Sequence, residues 1–112
     1  MMEFLIIVLN RVEYLERILS IMVEAGAEGA TILESEGLGH FLAYEVPIFA
    51  GLRKLIGEKK SANKTIIALV KKGFLDEFQQ ILKSEGIDFS KGNIGVMAVL
   101  PVTQAVLPSH QR

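Results

Sequence analysis

Four short apolar runs fix most of what this chain can become: EFLIIVLN (3–10), GATILESEG (29–37), NKTIIALVKK (63–72) and NIGVMAVLPV (93–102). Such runs, rich in β-branched residues and bounded by turn-formers, predict β-strands. The first is apolar without a break from Phe4 to Leu9, which suits a strand covered on both faces. Between the first two runs, Val12, Leu15, Ile18, Leu19, Met22 and Val23 recur at helical spacing. Asn10 is the expected N-cap of this helix, with Glu13 as its capping-box partner. Glu13 and Arg17 stand one turn apart in the favourable order, and Gly26 is the expected stop. Between the last two runs the pattern returns. Gly73 breaks the third strand, Phe74, Leu75, Phe78, Ile81 and Leu82 share one side of a second helix, and Gly86 stops it.

Strand–helix–strand therefore occurs twice, separated by a long insert. This order predicts an α+β fold of the ferredoxin-like βαββαβ type, with two helices on one face of a four-stranded antiparallel sheet. A chain of 112 residues is expected to form a single domain over 1–112, with an insert at 37–62 and a flexible tail at 107–112. Two helices cover only one face of the sheet, yet the strands are apolar on both. With half of all residues apolar, the second face is expected to be buried by self-association.

Composition also excludes. The net charge is −1, and no basic stripe of the kind that binds nucleic acid is present. The one basic cluster, Arg53 to Lys60, is interrupted by Leu55, Ile56, Gly57 and Glu58, and reads as a solvated face. With no cysteine, disulfides and zinc-thiolate sites are excluded. MMEFLIIVLN lacks the basic start and the small-residue cleavage site of a signal peptide, and no run is long enough to span a bilayer. The expected location is cytoplasmic, with no embedding in a membrane.

Within residues 36–60, 12 of 25 are apolar or aromatic, too many for a solvated loop. The stretch VPIFAGLRKLIG (46–57) is expected to form a short helix or compact turn packed onto the assembly. Pro47 suits a first helical position, Phe49, Leu52, Leu55 and Ile56 fall on one face, and Gly57 ends it.

No catalytic constellation stands out. Of the two histidines, His110 lies in the tail and His40 at the head of the insert. Glu36 and Glu45 lie near His40 in sequence, but the spacing matches no metal motif. The serines and threonines lack the setting of a nucleophile elbow. Neither a catalytic residue nor a metal site is assigned. Two glycine-bearing segments are more informative. Gly37 and Gly39 flank Leu38 after the second strand, and FSKGNIG (89–95) precedes the fourth. Glycines there allow positive φ and close approach of a ligand, and exposed N–H groups suit an anion.

These segments resemble the PII signal-transduction protein superfamily. GATILESEGLGH is similar to that family's second strand, which runs into a Gly-aromatic-Gly pair; Thr31, Gly37 and Gly39 fall in place, with Leu38 where the aromatic sits. VLPVTQAV (99–106) resembles the family's last core strand and the residues after it. The resemblance spans roughly residues 2–106. It implies a homotrimer whose sheets face inward and whose inter-subunit clefts bind an adenine nucleotide or another small anion. It places Thr31, Gly37, Leu38, Gly39, His40, Lys91, Gly92, Asn93 and Gly95 at the effector site. It makes the connection between strands two and three, with Tyr44, Ile48, Phe49, Leu52, Arg53 and Leu55, the part that touches a target enzyme or membrane transporter, in nitrogen or carbon metabolism. Such a protein is a sensor and regulator, not an enzyme.

The sequence also departs from the family's pattern. AYEVPIFAG stands in place of the family's Tyr-Arg-Gly-x-Glu-Tyr segment. SKGNIGVM stands where a Gly-Asp-Gly-Lys signature grips phosphates, with Lys91 nearby but shifted. No arginine pair comes after the last strand. These differences imply a divergent relative with another effector or a weaker one. The alternative is a trimer of the divalent-cation-tolerance type, which shares the fold.

Overall fold

The computed structural model describes residues 1–53 and 63–108. The expectations placed on Leu55, Ile56, Gly57 and His110 lie outside them. Strand β1 (Met2–Leu9) is followed by a 3-10 turn (Val12–Tyr14) and helix α1 (Leu15–Glu24). Strand β2 (Thr31–Ser35) leads into helix α2 (Leu38–Glu45) and a 3-10 helix (Pro47–Leu52). Strand β3 (Asn63–Lys71), helix α3 (Phe74–Ser84) and strand β4 (Gly95–Pro101) complete the order. The sheet runs β2-β3-β1-β4, antiparallel throughout, as a ferredoxin-like fold requires.

Alternation along the strands divides the sheet into two faces. Leu5, Ile7 and Leu9 on β1 and Ile66, Ala68 and Val70 on β3 point to the helices and are buried. Ile18, Ile21 and Met22 of α1 meet them, as do Phe74, Phe78 and Leu82 of α3, with Ile87 and Ile94 closing the core. The rings of Phe74 and Phe78 stack at 5.3 Å. Both helices end as expected at glycines with positive φ, Gly26 (103°) and Gly86 (84°). At the two ends of its stripe α1 is less buried than its spacing predicts: Val12 and Val23 stay exposed, and Ile21 is buried instead.

The other face carries three cross-strand rows. Leu33, Thr65, Val8 and Val96 form one, Thr31, Ile67, Ile6 and Ala98 the second, and Leu69, Phe4 and Leu100 the third. No helix covers this face among the described residues. In the single chain β1 is therefore buried on one face and only partly covered on the other, where coverage of both was expected.

Three local expectations are corrected. Asn10 does not cap the helix, which opens through the 3-10 turn with no side-chain cap. Its amide bonds Asn93 instead. Arg17 reaches Glu85 at 3.0 Å instead of Glu13, and Glu13 pairs with Arg11 at 2.7 Å. Within the insert Leu38–Glu45 and Pro47–Leu52 are helical, starting earlier than expected, and its described residues add none to the main core.

Candidate effector site at the polar end of the sheet

Antiparallel pairing brings the end of β1 together with the starts of β3 and β4, since Leu9 faces both Lys64 and Gly95. The end of β2 joins them through the Ser35–Asn63 pair. The loop before β4 is fixed here by backbone. The N–H groups of Asn10 and Arg11 both donate to the carbonyl of Ile94, at 2.8 and 3.3 Å. Asp88 shapes the loop itself, accepting bonds from the hydroxyl (2.7 Å) and the N–H (3.0 Å) of Ser90. These bonds favour the charged carboxylate and hold its pKa below the ordinary value. The N–H of Lys91 then donates to the Asp88 carbonyl at 3.0 Å, and Gly92 takes a positive φ of 63°. The side chains of Lys91 and Asn93 are exposed.

Gly95 answers to the sheet. A Cβ there would stand 2.1 Å from the carbonyl oxygen of Val8, so β4 can pair with β1 at this point only through glycine. Gly37 lacks the expected positive φ: at φ −74° it is the N-cap of α2, and its carbonyl accepts from the N–H of Phe41 at 2.9 Å. Leu38, Gly39 and His40 thus lie in the first turn of a helix. Glycine is tolerated at an N-cap, which reconciles the pair with a helix start.

Along α2 the side chains at every fourth position stack. Glu36 meets the Nδ1 of His40 at 2.6 Å, the His40 and Tyr44 rings lie 4.7 Å apart, and the Arg53 guanidinium covers Tyr44 at 4.9 Å. The Nε of Arg53 donates to the Ala43 carbonyl at 2.8 Å. The Tyr44 hydroxyl is buried without a hydrogen-bond partner among the described residues. Leu38, Phe41, Ile48 and Phe49 are exposed, and Leu52 is half-buried.

The predicted site residues thus fall into three places. Gly37 to His40 sit beyond β2 and Lys91 to Gly95 before β4, at opposite edges of the sheet, about 14 Å apart at the usual strand spacing. Thr31 belongs with neither. It faces Ile67 in mid-sheet and borders an apolar hollow of about 400 Å³ with Met2, Phe4, Leu69 and Leu107. Another hollow, of about 410 Å³, lies near Met2, Lys71 and Phe74, at the opposite end from the polar cluster.

Of the side chains that join the two edges, sequence reasoning placed Asn93 at the site but not Asn10, Asn63 or Ser35. Asn93 accepts from Asn10, Asn10 accepts from Asn63, and Ser35 stands 2.6 Å from the Oδ1 of Asn63. The signal was present, since an asparagine ends the first apolar run, opens the third and opens the fourth. Antiparallel pairing of those strands brings all three to one end. Among the described residues no group of three His, Asp or Glu is placed to hold a metal ion.

The sequence matches no protein-family model and no curated protein. Solved structures with the same architecture exist. CPII from Thiomonas intermedia K12, a nitrogen regulatory PII-like protein, matches in its apo form with a TM-score of 0.57, 20% identity, and coverage of 88% of this chain and 86% of CPII. CPII bound to ADP, AMP and bicarbonate matches with a TM-score of 0.54 and 19% identity over 94% of this chain and 96% of that one. The periplasmic divalent cation tolerance protein CutA from Archaeoglobus fulgidus matches with a TM-score of 0.56 and 15% identity over 95% and 88%. This chain has the ferredoxin-like fold that PII-like proteins and CutA share.

Proposed function

We propose that the protein is a PII-like regulator. It assembles as a homotrimer, senses a small anionic effector between subunits, and signals to a target protein through the β2–β3 connection. The observation that carries this reading is the two-sided sheet. Its open face carries apolar side chains on all four strands, and the two candidate loops lie at opposite edges. A neighbour packed on that face brings one subunit's Gly37–His40 edge toward the next subunit's Lys91–Asn93 edge, which makes a cleft that neither chain has alone. Exposed Leu38, Phe41, Ile48 and Phe49 give the connection an apolar surface suited to a target. The location fitting this role is the cytoplasm, and the target is an enzyme or a membrane transporter.

An adenine nucleotide or bicarbonate is the favoured effector class, because CPII was solved with ADP, AMP and bicarbonate. Lys91 is the cation nearest the loop glycines in sequence, and a lone lysine grips phosphate less firmly than a set of cations does. The expected result is weak nucleotide binding, or binding of a smaller anion. The divalent-cation reading rests on the likeness to CutA. It is less supported by this chain's chemistry, which offers Glu36 and His40 as one carboxylate–imidazole pair.

A thermal-shift screen against ADP, AMP, bicarbonate and divalent metal ions separates the two, since stabilisation grows with ligand concentration over Kd. Stabilisation by ADP, AMP or bicarbonate, abolished by Lys91→Ala, is expected. A response to metal ions alone would overturn the effector reading in favour of the metal-binding one.

A further inference from the structure

A continuous line of uncharged side chains crosses the polar end of all four strands. At one edge the Oδ1 of Asn93 accepts from the Nδ2 of Asn10 at 3.2 Å. The Oδ1 of Asn10 accepts from the Nδ2 of Asn63 at 3.3 Å. The Oδ1 of Asn63 accepts from the Oγ of Ser35 at 2.6 Å, and Ser35 stands 2.7 Å from the Oγ1 of Thr65. Ser35 is the last residue of β2, and Asn63 also lies beside the start of α2: its Nδ2 is 3.6 Å from where a Gly37 Cβ would stand.

Each central asparagine is used at both ends, as acceptor on one side and donor on the other. A carboxamide has its donor and its acceptor on opposite branches, so the orientation of one fixes that of the next. Turning Asn93 alone would set its Nδ2 against the Nδ2 of Asn10. The line is restored only if Asn10 and Asn63 turn as well. Ser35 tolerates either polarity, because its hydroxyl also lies 3.2 Å from the Asn63 carbonyl and can donate there. Counting only bonds within the line, it has two self-consistent polarities, the property that lets a local change be felt at a distance. In the polarity seen here the Nδ2 of Asn93 is the terminal group, a donor that suits an anion's oxygen. None of these groups ionises near neutral pH, so the line works independently of pH in that range.

We propose that Asn10 and Asn63 are positioning residues that couple the loop before β4 to the start of α2. The use of this coupling, reporting an effector to the target-facing connection, rests on the function proposed above. The coupling itself belongs to the free chain and is tested there.

The test uses the full chain without ligand, with amide hydrogen exchange read by NMR. Asn93→Ala is expected to speed exchange of the Phe41 amide, which bonds the Gly37 carbonyl in the first turn of α2 at the far edge of the sheet, by about threefold or more. Asn10→Asp keeps the acceptor for Asn63 and removes the donor to Asn93. In that background Asn93→Ala is expected to add nothing at Phe41, since the link it acts through is already broken. An effect of Asn93→Ala confined to residues 88–95, or an undiminished effect in the Asn10→Asp chain, would overturn the coupling. If Asn10→Asp does not fold, Asn63→Ala replaces it with the same two readings. Ligand binding is read separately by thermal shift, so failure of the effector reading and failure of the coupling are told apart.

Discussion

Gly95 shows how little freedom a single position can have. Its missing side chain admits the β1 backbone, with the Val8 oxygen 2.1 Å and the Leu9 Cα 3.1 Å from any Cβ. Backbone cannot yield as a flexible side chain would. Gly95→Ala is therefore expected to destabilise the protein by about 2–4 kcal/mol, lowering the melting midpoint by roughly 10 °C or more. Circular dichroism on heating checks this, and an unchanged midpoint would mean that β4 shifts at no cost. Asp88 makes a prediction of opposite character, because it titrates. Its carboxyl is held below its ordinary pKa by the Ser90 hydroxyl first and the Ser90 N–H second. A depressed folded-state pKa gives stability that is present above the unfolded value and lost as pH falls through the folded one. The gap in urea midpoint between wild type and Asp88→Ala should be widest near neutral pH and narrow below about pH 4. A gap that grows with acid would refute the assignment. The candidate site was only partly legible in the sequence. Asn10 fits a helix-cap pattern wherever its side chain points, and the pattern cannot register a partner 83 residues away. Gly37 and Gly39 mark the passage from β2 into α2 but suggest positive φ, where Gly37 serves as an N-cap.

Elements were legible where one period dominated. The strands and the two core helices follow from alternation and from a clear apolar stripe, and the structure differs mainly at their ends. β2 begins at Thr31 and β4 at Gly95, each two residues inside its expected start. Helix α2 was not legible, because LGHFLAYE is apolar around most of its circumference and offers no stripe to read. At eight residues it is also too short to hold by propensity alone. Pro47 does start a helical turn, as its fixed φ suggests, but the turn is 3-10 and leaves Phe49 exposed. Arg53 ties α2 down, bonding the Ala43 carbonyl near the helix C-terminus and lying over Tyr44. Arg53→Ala should release α2 without weakening the core, since the described residues of the insert add nothing to that core. The expected outcome is faster exchange at the Val46 amide, which bonds Leu42, with a global stability change within about 0.5 kcal/mol. Arg53→Lys should behave almost as badly, for an ammonium cannot both donate in plane and stack. A large fall in melting temperature with Arg53→Ala would show that the insert packs on the rest of the molecule.

In the whole molecule, the described residues are held by one core on one side of the sheet, and the other side is left open. Its radius of gyration of 16.3 Å exceeds the roughly 13 Å of a compact chain of this length. The open face is the larger matter. Val96 is 63% exposed and Leu100 47%, in rows with Val8 and Phe4 that a soluble monomer has little reason to keep apolar. A trimer that turns these faces inward removes them from water. Val96 is the position to test, because its exposure makes the single chain indifferent to it. Val96→Asp would change an isolated subunit by about 0.5 kcal/mol or less. In an assembly that buries this face the same carboxylate would lose its water without gaining a partner, a cost of several kcal/mol per subunit. Wild-type protein is expected to sediment near three times its 12.3 kDa chain mass at micromolar concentration. Val96→Asp should sediment at the mass of one chain and melt well below wild type. Circular dichroism at low temperature then shows whether that single chain keeps its fold. A wild type that sediments as one folded chain would leave the open face uncovered in solution, and with it the inter-subunit cleft on which the proposed function depends.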